Sequence, residues 1–238
     1  MKILAINGSP RAEEGFTNIV VKRFLKGAQN AGGETEVIYP AKMKIAPCVG
    51  CLKCWLETPG VCRHNDDMPE IFKRMKEADV YVFASPVYVD SMTSQMKKMF
   101  DRFMSISEPF FEFEGTRSYH PRVADRDLKA VTISTCGFPE REHFEAISLT
   151  FRRICENIRA RLLGEFYFPA SSLLASKPEK LEPQLSAVEK AGGEIVEKGI
   201  ILEETISEAN REYVDDYRAF CEEMNEFFHK VRRKRGLE

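Results

Sequence analysis

Apolar residues along this chain fall into short unbroken runs that alternate with stretches of helical periodicity. Lys2–Asn7 is such a run and stops at Gly8-Ser9-Pro10, which reads as a buried strand entering a turn. From Thr17 to Ala31 the apolar positions Ile19, Val20, Phe24, Leu25 and Ala28 keep helical spacing, and Gly32-Gly33 closes the segment. Glu34–Tyr39 predicts a second strand. Prolines and glycines then dominate residues 40–65, a long irregular loop of the kind that compact domains keep for function. Asp67, followed by Glu70, has the form of a capping box opening a helix with Ile71, Met75 and Ala78 on its apolar face. Val80–Ala84 predicts a third strand, Thr93–Met104 a helix, and 107–127 an irregular aromatic segment. Leu128–Ser134 predicts a strand, Glu140–Arg161 a helix and Leu163–Phe168 a fifth strand.

Strands that read as buried on both faces, alternating with helices, predict a doubly wound α/β sheet with right-handed crossovers. After about residue 170 the strand signal ends, and Pro183–Ile201 and Ser207–Arg232 read as two helices. The expected organisation is a sheet domain over 1–175, with a cysteine-bearing loop at 46–64 inserted in it, and a helical extension over 176–238.

Composition narrows the classes. The chain has 238 residues, long enough to bury a core without disulfides or metal. Lysine and arginine number 35 against 37 acidic residues, for a net charge of −2. That balance argues against a bulk nucleic-acid binder. No apolar run approaches the roughly 20 residues of a membrane span, and the first residues are too short an apolar stretch for a signal peptide. The expectation is a cytoplasmic protein that engages neither nucleic acid nor membrane. The closing basic run Lys230–Arg235 suits a solvated helix end, where cations offset the helix dipole.

Four of the seven cysteines lie at Cys48, Cys51, Cys54 and Cys62, a C-x2-C-x2-C-x7-C pattern. In a reducing compartment such clustering points to metal or redox chemistry rather than to disulfides. Four thiolates at this spacing suit an iron–sulfur cube; zinc accepts the same donor set, and a loop of inert thiols is the plain alternative. Cys136, Cys155 and Cys221 are scattered and read as packing residues. The four histidines, His64, His120, His143 and His229, show no ligand spacing.

In open parallel sheets ligands sit beyond the carboxyl ends of the strands. Three such ends carry suggestive residues. Gly8-Ser9-Pro10-Arg11, with Thr17 and Asn18, is a small, hydroxyl-rich loop opening into a helix, able to cradle a phosphate or to be an ordinary capped turn. Ser85-Pro86-Val87-Tyr88 offers a rigid backbone and a ring for stacking on a planar ligand. Thr135-Cys136-Gly137 allows close backbone approach to a polar ring edge.

Taken together, these loops, the cysteine run, Asp66-Asp67-Met68, Ala78-Asp79 and Lys97–Arg102 resemble the flavodoxin-like NADPH-dependent FMN reductase family, in its iron–sulfur flavoprotein branch. The matching stretches span about residues 1–170. The resemblance implies a five-stranded sheet of order 2-1-3-4-5 that binds FMN. By family position Ser9, Arg11, Thr17 and Asn18 would hold the phosphate, and Pro86, Val87 and Tyr88 would border the isoalloxazine ring, with Thr135, Cys136 and Gly137 nearby. A [4Fe–4S] cluster on Cys48, Cys51, Cys54 and Cys62 is implied by the branch, as is a homodimer or homotetramer with flavin close to a subunit interface. Two departures stand out: Gly15-Phe16-Thr17 replaces the more usual Gly-Asn-Thr or Gly-Ser-Thr, and the last cysteine gap is at the long end of the pattern.

Three functions follow as expectations. The first is an oxidoreductase passing electrons from NAD(P)H through FMN to a quinone, a flavin or another small acceptor. The second is an iron–sulfur flavoprotein carrying electrons from a ferredoxin-like donor. The third is a non-catalytic module that binds flavin or zinc.

Overall fold

The computed structural model describes residues 1–121 and 127–238. The last part of the irregular segment expected over 107–127, at 122–126, lies outside the described residues. Five strands form one parallel sheet: β1 (Lys2–Asn7), β2 (Glu34–Ile38), β3 (Val80–Pro86), β4 (Leu128–Thr135) and β5 (Ala160–Phe168). Their order is β2-β1-β3-β4-β5, the flavodoxin-like arrangement expected from the sequence.

Side chains alternate across the sheet, so each face has its own core. Ile3, Ala5, Val82 and Ile133 meet the helix α1 (Phe16–Asn30) on one side. Leu4, Ile6, Tyr81 and Phe83 meet α2 (Met68–Glu77), α3 (Ser94–Phe100) and α4 (Glu145–Asn157) on the other. Three further helices follow: α5 (Glu182–Lys198), α6 (Glu203–Ala209) and α7 (Tyr217–Lys234). Helix α5 lies on α1 with its backbone in near contact. A Cβ on Gly27 would overlap the Glu189 carbonyl oxygen, and one on Gly192 would overlap that of Phe24. Leu185, Val188 and Ile195 of α5 thereby join the same core as β1 and β3.

Several boundaries differ from the periodicity. The helix expected over Ser207–Arg232 is two helices, because Asn210 leaves the helical path to serve the edge strand. Its amide donates to the Glu165 carbonyl (2.8 Å) and accepts the Tyr167 N–H (2.9 Å). That contact covers backbone which an edge strand otherwise exposes. The helix expected over Glu140–Arg161 stops at Asn157, since Arg159 takes a left-handed turn (φ 49°) and β5 begins at Ala160. The helix expected over Thr93–Met104 tightens into a 3-10 segment over Asp101–Ile106. Within 107–121 a short hairpin pairs Glu112–Glu114 with Arg117–Tyr119. The Asp67 capping box does not form. Asp67 instead accepts the Lys44 N–H (2.7 Å), and the neighbouring Asp66 accepts that of Met68 (3.2 Å).

Among the described residues no helix is long and apolar enough to cross a membrane.

Candidate functional site

The three loops singled out above meet at the carboxyl end of the sheet. Gly8, at the end of β1, donates its N–H to the Ala84 carbonyl of β3 (2.7 Å) and accepts the Thr93 hydroxyl (2.6 Å). Thr93 is also the N-cap of α3, its hydroxyl accepting the Met96 N–H, and its own N–H donates to Ser85. Val87 N–H donates to the Thr135 carbonyl (2.8 Å), which joins the second loop to the third. The hydroxyls of Thr17 and Thr135 share a hydrogen bond of 2.7 Å, which joins the third to the first.

The first loop is built from within. Asn7 Oδ1 accepts the Ser9 N–H (3.0 Å) and Ser9 Oγ accepts that of Arg11 (3.3 Å). Gly15 is required beside it, because a Cβ there would overlap Ser9 Oγ. Asn18 is buried, with its whole amide committed. Its oxygen accepts from Asn7 Nδ2 (3.3 Å) and the Tyr39 hydroxyl (2.9 Å), and its nitrogen donates to the Glu13 carbonyl (3.0 Å). Helix α1 starts at Phe16, after Gly15, with no side-chain cap among the described residues; Asn18 N–H donates to the Gly15 carbonyl (2.9 Å), while the Phe16 and Thr17 amides keep their donor capacity. Arg11 is exposed, and its guanidinium lies over the Phe16 ring at 5.5 Å. Phe16 thus steadies a cation at the helix mouth.

On the second loop Pro86 and Val87 are half-buried and Tyr88 is 50 % exposed. Tyr88 and Ser91 exchange backbone hydrogen bonds around Val89 and Asp90, both left-handed (φ 49° and 57°). A β-branched residue in that region carries strain, and such strain gathers at ligand-handling loops. On the third loop Cys136 is buried, and burial raises its thiol pKa. Gly137 is exposed, with open space where a Cβ would stand.

The cysteine loop is a separate construction. Cys48, Cys51, Cys54 and Cys62 line one cavity of about 30 Å³ with Met104 and His64, and all four are unpaired thiols. None of these lining residues belongs to the three loops above. Left-handed Gly50 and Leu52 (φ 64° and 54°) wind the chain around the cavity. Burial raises the Cys54 thiol pKa, and the nearby Cys62, Cys48 and Cys51 sulfurs add to the effect. Among the described residues no three His, Cys, Asp or Glu side chains converge closely enough for a single metal ion. The space exceeds the roughly 10–15 Å³ that one water needs and opens beside the exposed Cys48 and Cys51. Four cysteine thiols on one loop are a donor set that an iron–sulfur cluster and zinc both take.

Sequence reasoning gave no role to the residues that anchor this loop. Arg102 and Asp66 form an ion pair at 2.6 Å, each side chain 1 % exposed. Arg102 also donates to the Ala46 carbonyl (2.9 Å), and Asp66 accepts the Ala46 N–H (3.0 Å). Burial works to raise the Asp66 pKa, but Arg102 and the Ala46 and Met68 amides outweigh it and hold the carboxyl below its usual value. Trp55 pins the outer part of the loop, its Nε1 donating to the Met104 and Ser107 carbonyls (2.7 and 2.9 Å). A larger apolar cavity of about 680 Å³, walled by Phe72, Tyr81, Phe100, Phe103 and Leu128, sits toward the amino ends of β3 and β4. Phe110, Phe111 and Phe113 are all exposed, and of the three Phe111 lines this cavity.

A family model described as NADPH-dependent FMN reductase matches residues 1–120. The chain belongs to the NADPH-dependent FMN reductase family. An iron–sulfur flavoprotein of Methanocaldococcus jannaschii is 43% identical over 102 residues, 43% of this chain and 51% of the relative. One of Methanosarcina thermophila is 36% identical over 102 residues, 43% of this chain and 52% of the relative. The chain spans about half the length of the curated relatives it matches. Among solved structures, an FMN-dependent NADH-azoreductase of Bacillus anthracis in complex with FMN superposes with TM-score 0.61 at 18% identity, over 82% of this chain and 99% of that one. An NAD(P)H:quinone oxidoreductase of Methanothermobacter marburgensis gives TM-score 0.58 at 17% identity, over 82% and 98%. These structural likenesses show the fold. Together with the family match, they agree with the FMN reductase resemblance read from the sequence, and the sequence relatives carry the name of its iron–sulfur branch.

Proposed function

We propose that this FMN reductase family chain is an oxidoreductase that passes electrons from NAD(P)H through bound FMN to a quinone, a flavin or another small acceptor. The carrying observation is the interlocking of three loops beside the uncapped start of α1. Backbone N–H groups and the positive end of a helix suit a phosphate. Arg11, held over Phe16, adds a charge there. Ser9, Thr17 and Asn18 complete this phosphate seat, with Asn18 acting through the loop shape that its three hydrogen bonds maintain. Pro86, Val87 and Tyr88 flank the isoalloxazine ring. Thr135, Cys136 and Gly137 approach its polar edge through the backbone, for which the open space at Gly137 leaves room. FMN supplies the redox chemistry when bound: it accepts two electrons as hydride and releases them singly or in pairs. The protein's part is to bind and orient it and to stabilise charge on its polar edge.

The four thiols around one cavity favour a second reading, in which the chain also holds a [4Fe–4S] cluster and acts as an electron carrier. We take the assembly to be a homodimer or homotetramer, a point that light scattering of the purified protein decides.

One experiment tests both readings: the absorption spectrum of anaerobically purified protein, with flavin, iron, zinc and acid-labile sulfide assayed on the same sample. FMN bands with NADPH-driven quinone reduction are the expected result for the first reading. An added broad absorption with iron and sulfide is expected for the second. Protein unable to bind FMN overturns the first, and protein without iron or sulfide after anaerobic reconstitution overturns the second.

A further inference from the structure

Two buried nitrogens at the cysteine loop lack a hydrogen-bond partner among the described residues: Nε2 of His64, a residue that lines the cavity, and Nε of Arg102, whose guanidinium interacts with the Cys62 sulfur. Buried polar groups are nearly always paired, and leaving one unpaired costs about 1–3 kcal/mol. Both residues are tied to the same cysteine. His64 follows Cys62 by two residues and lines the cavity. Arg102 spends its terminal nitrogens on Asp66 and the Ala46 carbonyl, and the Cys62 sulfur interacts with the same guanidinium. The carboxylate of Asp66 offsets much of the guanidinium charge. What remains is a buried N–H without a protein partner among the described residues.

We propose that Arg102 and His64 aim N–H groups at the sulfur shell of a cluster held by Cys48, Cys51, Cys54 and Cys62, and thereby raise its reduction potential. The inference rests on the cluster reading above. A cluster gains negative charge on reduction, and donors to its sulfurs stabilise the reduced state more than the oxidised one. Arg102 does so from a fixed position, since Asp66 and Ala46 allow its plane little freedom. His64 does so in the tautomer that carries its proton on Nε2.

The test is a redox titration, followed by electron paramagnetic resonance, of the full chain reconstituted with iron and sulfide. His64→Phe keeps a ring and removes the nitrogen. Arg102→Lys keeps the charge beside Asp66 and removes Nε. Each variant is expected to bind iron and sulfide as wild type does, yet to shift the reduction equilibrium roughly tenfold toward the oxidised cluster, about 59 mV for one electron. Unmoved potentials in both variants, with clusters intact, overturn this inference alone. Should Arg102→Lys lose iron, His64→Phe decides, and a wild-type potential there overturns the proposal. A wild-type chain that assembles no cluster overturns the cluster reading and this inference together.

Discussion

The hydroxyls of Thr17 and Thr135, 118 positions apart in the chain, meet at 2.7 Å in the buried junction between the start of α1 and the end of β4. This bond ties the loop after β1 to the loop after β4, the two proposed above for the phosphate and for the ring edge. Thr17→Val keeps the shape and removes the hydroxyl, leaving Thr135 with one polar partner fewer. A lost buried hydrogen bond of about 1–1.5 kcal/mol corresponds to roughly tenfold weaker FMN binding. Fluorescence titration of FMN against the two proteins measures it. Equal affinities would show that the junction does not transmit to the ligand.

The α1–α5 contact predicts a stability effect far from any ligand. Neither Gly27 nor Gly192 has room for a methyl group, because the opposing atoms are backbone. Overpacking of this kind costs typically about 1–3 kcal/mol. Gly192→Ala should lower the unfolding free energy from urea titration by that amount while leaving FMN affinity within twofold. The gain in helix propensity, up to about 1 kcal/mol, offsets only part of the loss.

The Asp66–Arg102 pair predicts a pH dependence. Asp66 has a native pKa below its unfolded value, so its contribution is full above about pH 4 and is lost as pH falls through the native value. Asp66→Asn strands a buried guanidinium and should cost about 3–5 kcal/mol at pH 7. The gap between wild type and variant should narrow in denaturant titrations at pH 3. A gap independent of pH would mean that the carboxylate charge is not what holds the loop.

Cysteine reactivity should divide the seven thiols. Burial pushes the Cys155 thiol up to about 12, and Cys136 is raised by the same cause. Cys48 and Cys51 are exposed. In the metal-free chain, iodoacetamide followed by peptide mass spectrometry should find Cys48 and Cys51 labelled at least roughly a hundredfold faster than Cys155. Early labelling of Cys155 would contradict its burial between α4 and the sheet.

Much of the fold was legible because buried parallel strands are continuous apolar runs and the turns after them are rich in small residues. Ile3 through Ile6 and Val80 through Ala84 announce themselves in this way. The break at Asn210 was not legible, since apolar spacing continues through it and the reason lies 45 residues away at the Glu165 carbonyl. Gly27 and Gly192 carry no signal singly; they acquire meaning only when two helices adjoin. At the site, the three loops could be picked out by residue type, as could the four cysteines. The internal bonding of Asn18 to Asn7 and Tyr39 could not, because a side-chain amide suits a ligand and a neighbour equally well. Asp66 and Arg102 stayed without roles for a similar reason: a buried charge pair is a property of surroundings, not of spelling.

The cysteine loop leaves and rejoins the domain at nearly one point. Lys44 bonds to Asp67 and Ala46 to Asp66, so the two ends of the excursion are clasped together by backbone amides and carboxylates. An excursion with joined ends strains nothing beneath it, and its length enters the folding free energy only logarithmically. Residues 47–65 therefore form an excursion closed at its base and pinned further out by Trp55 alone of the anchors described above. Its length can change at little entropic cost to the parallel sheet and the three-loop junction, provided the clasp at its ends is kept.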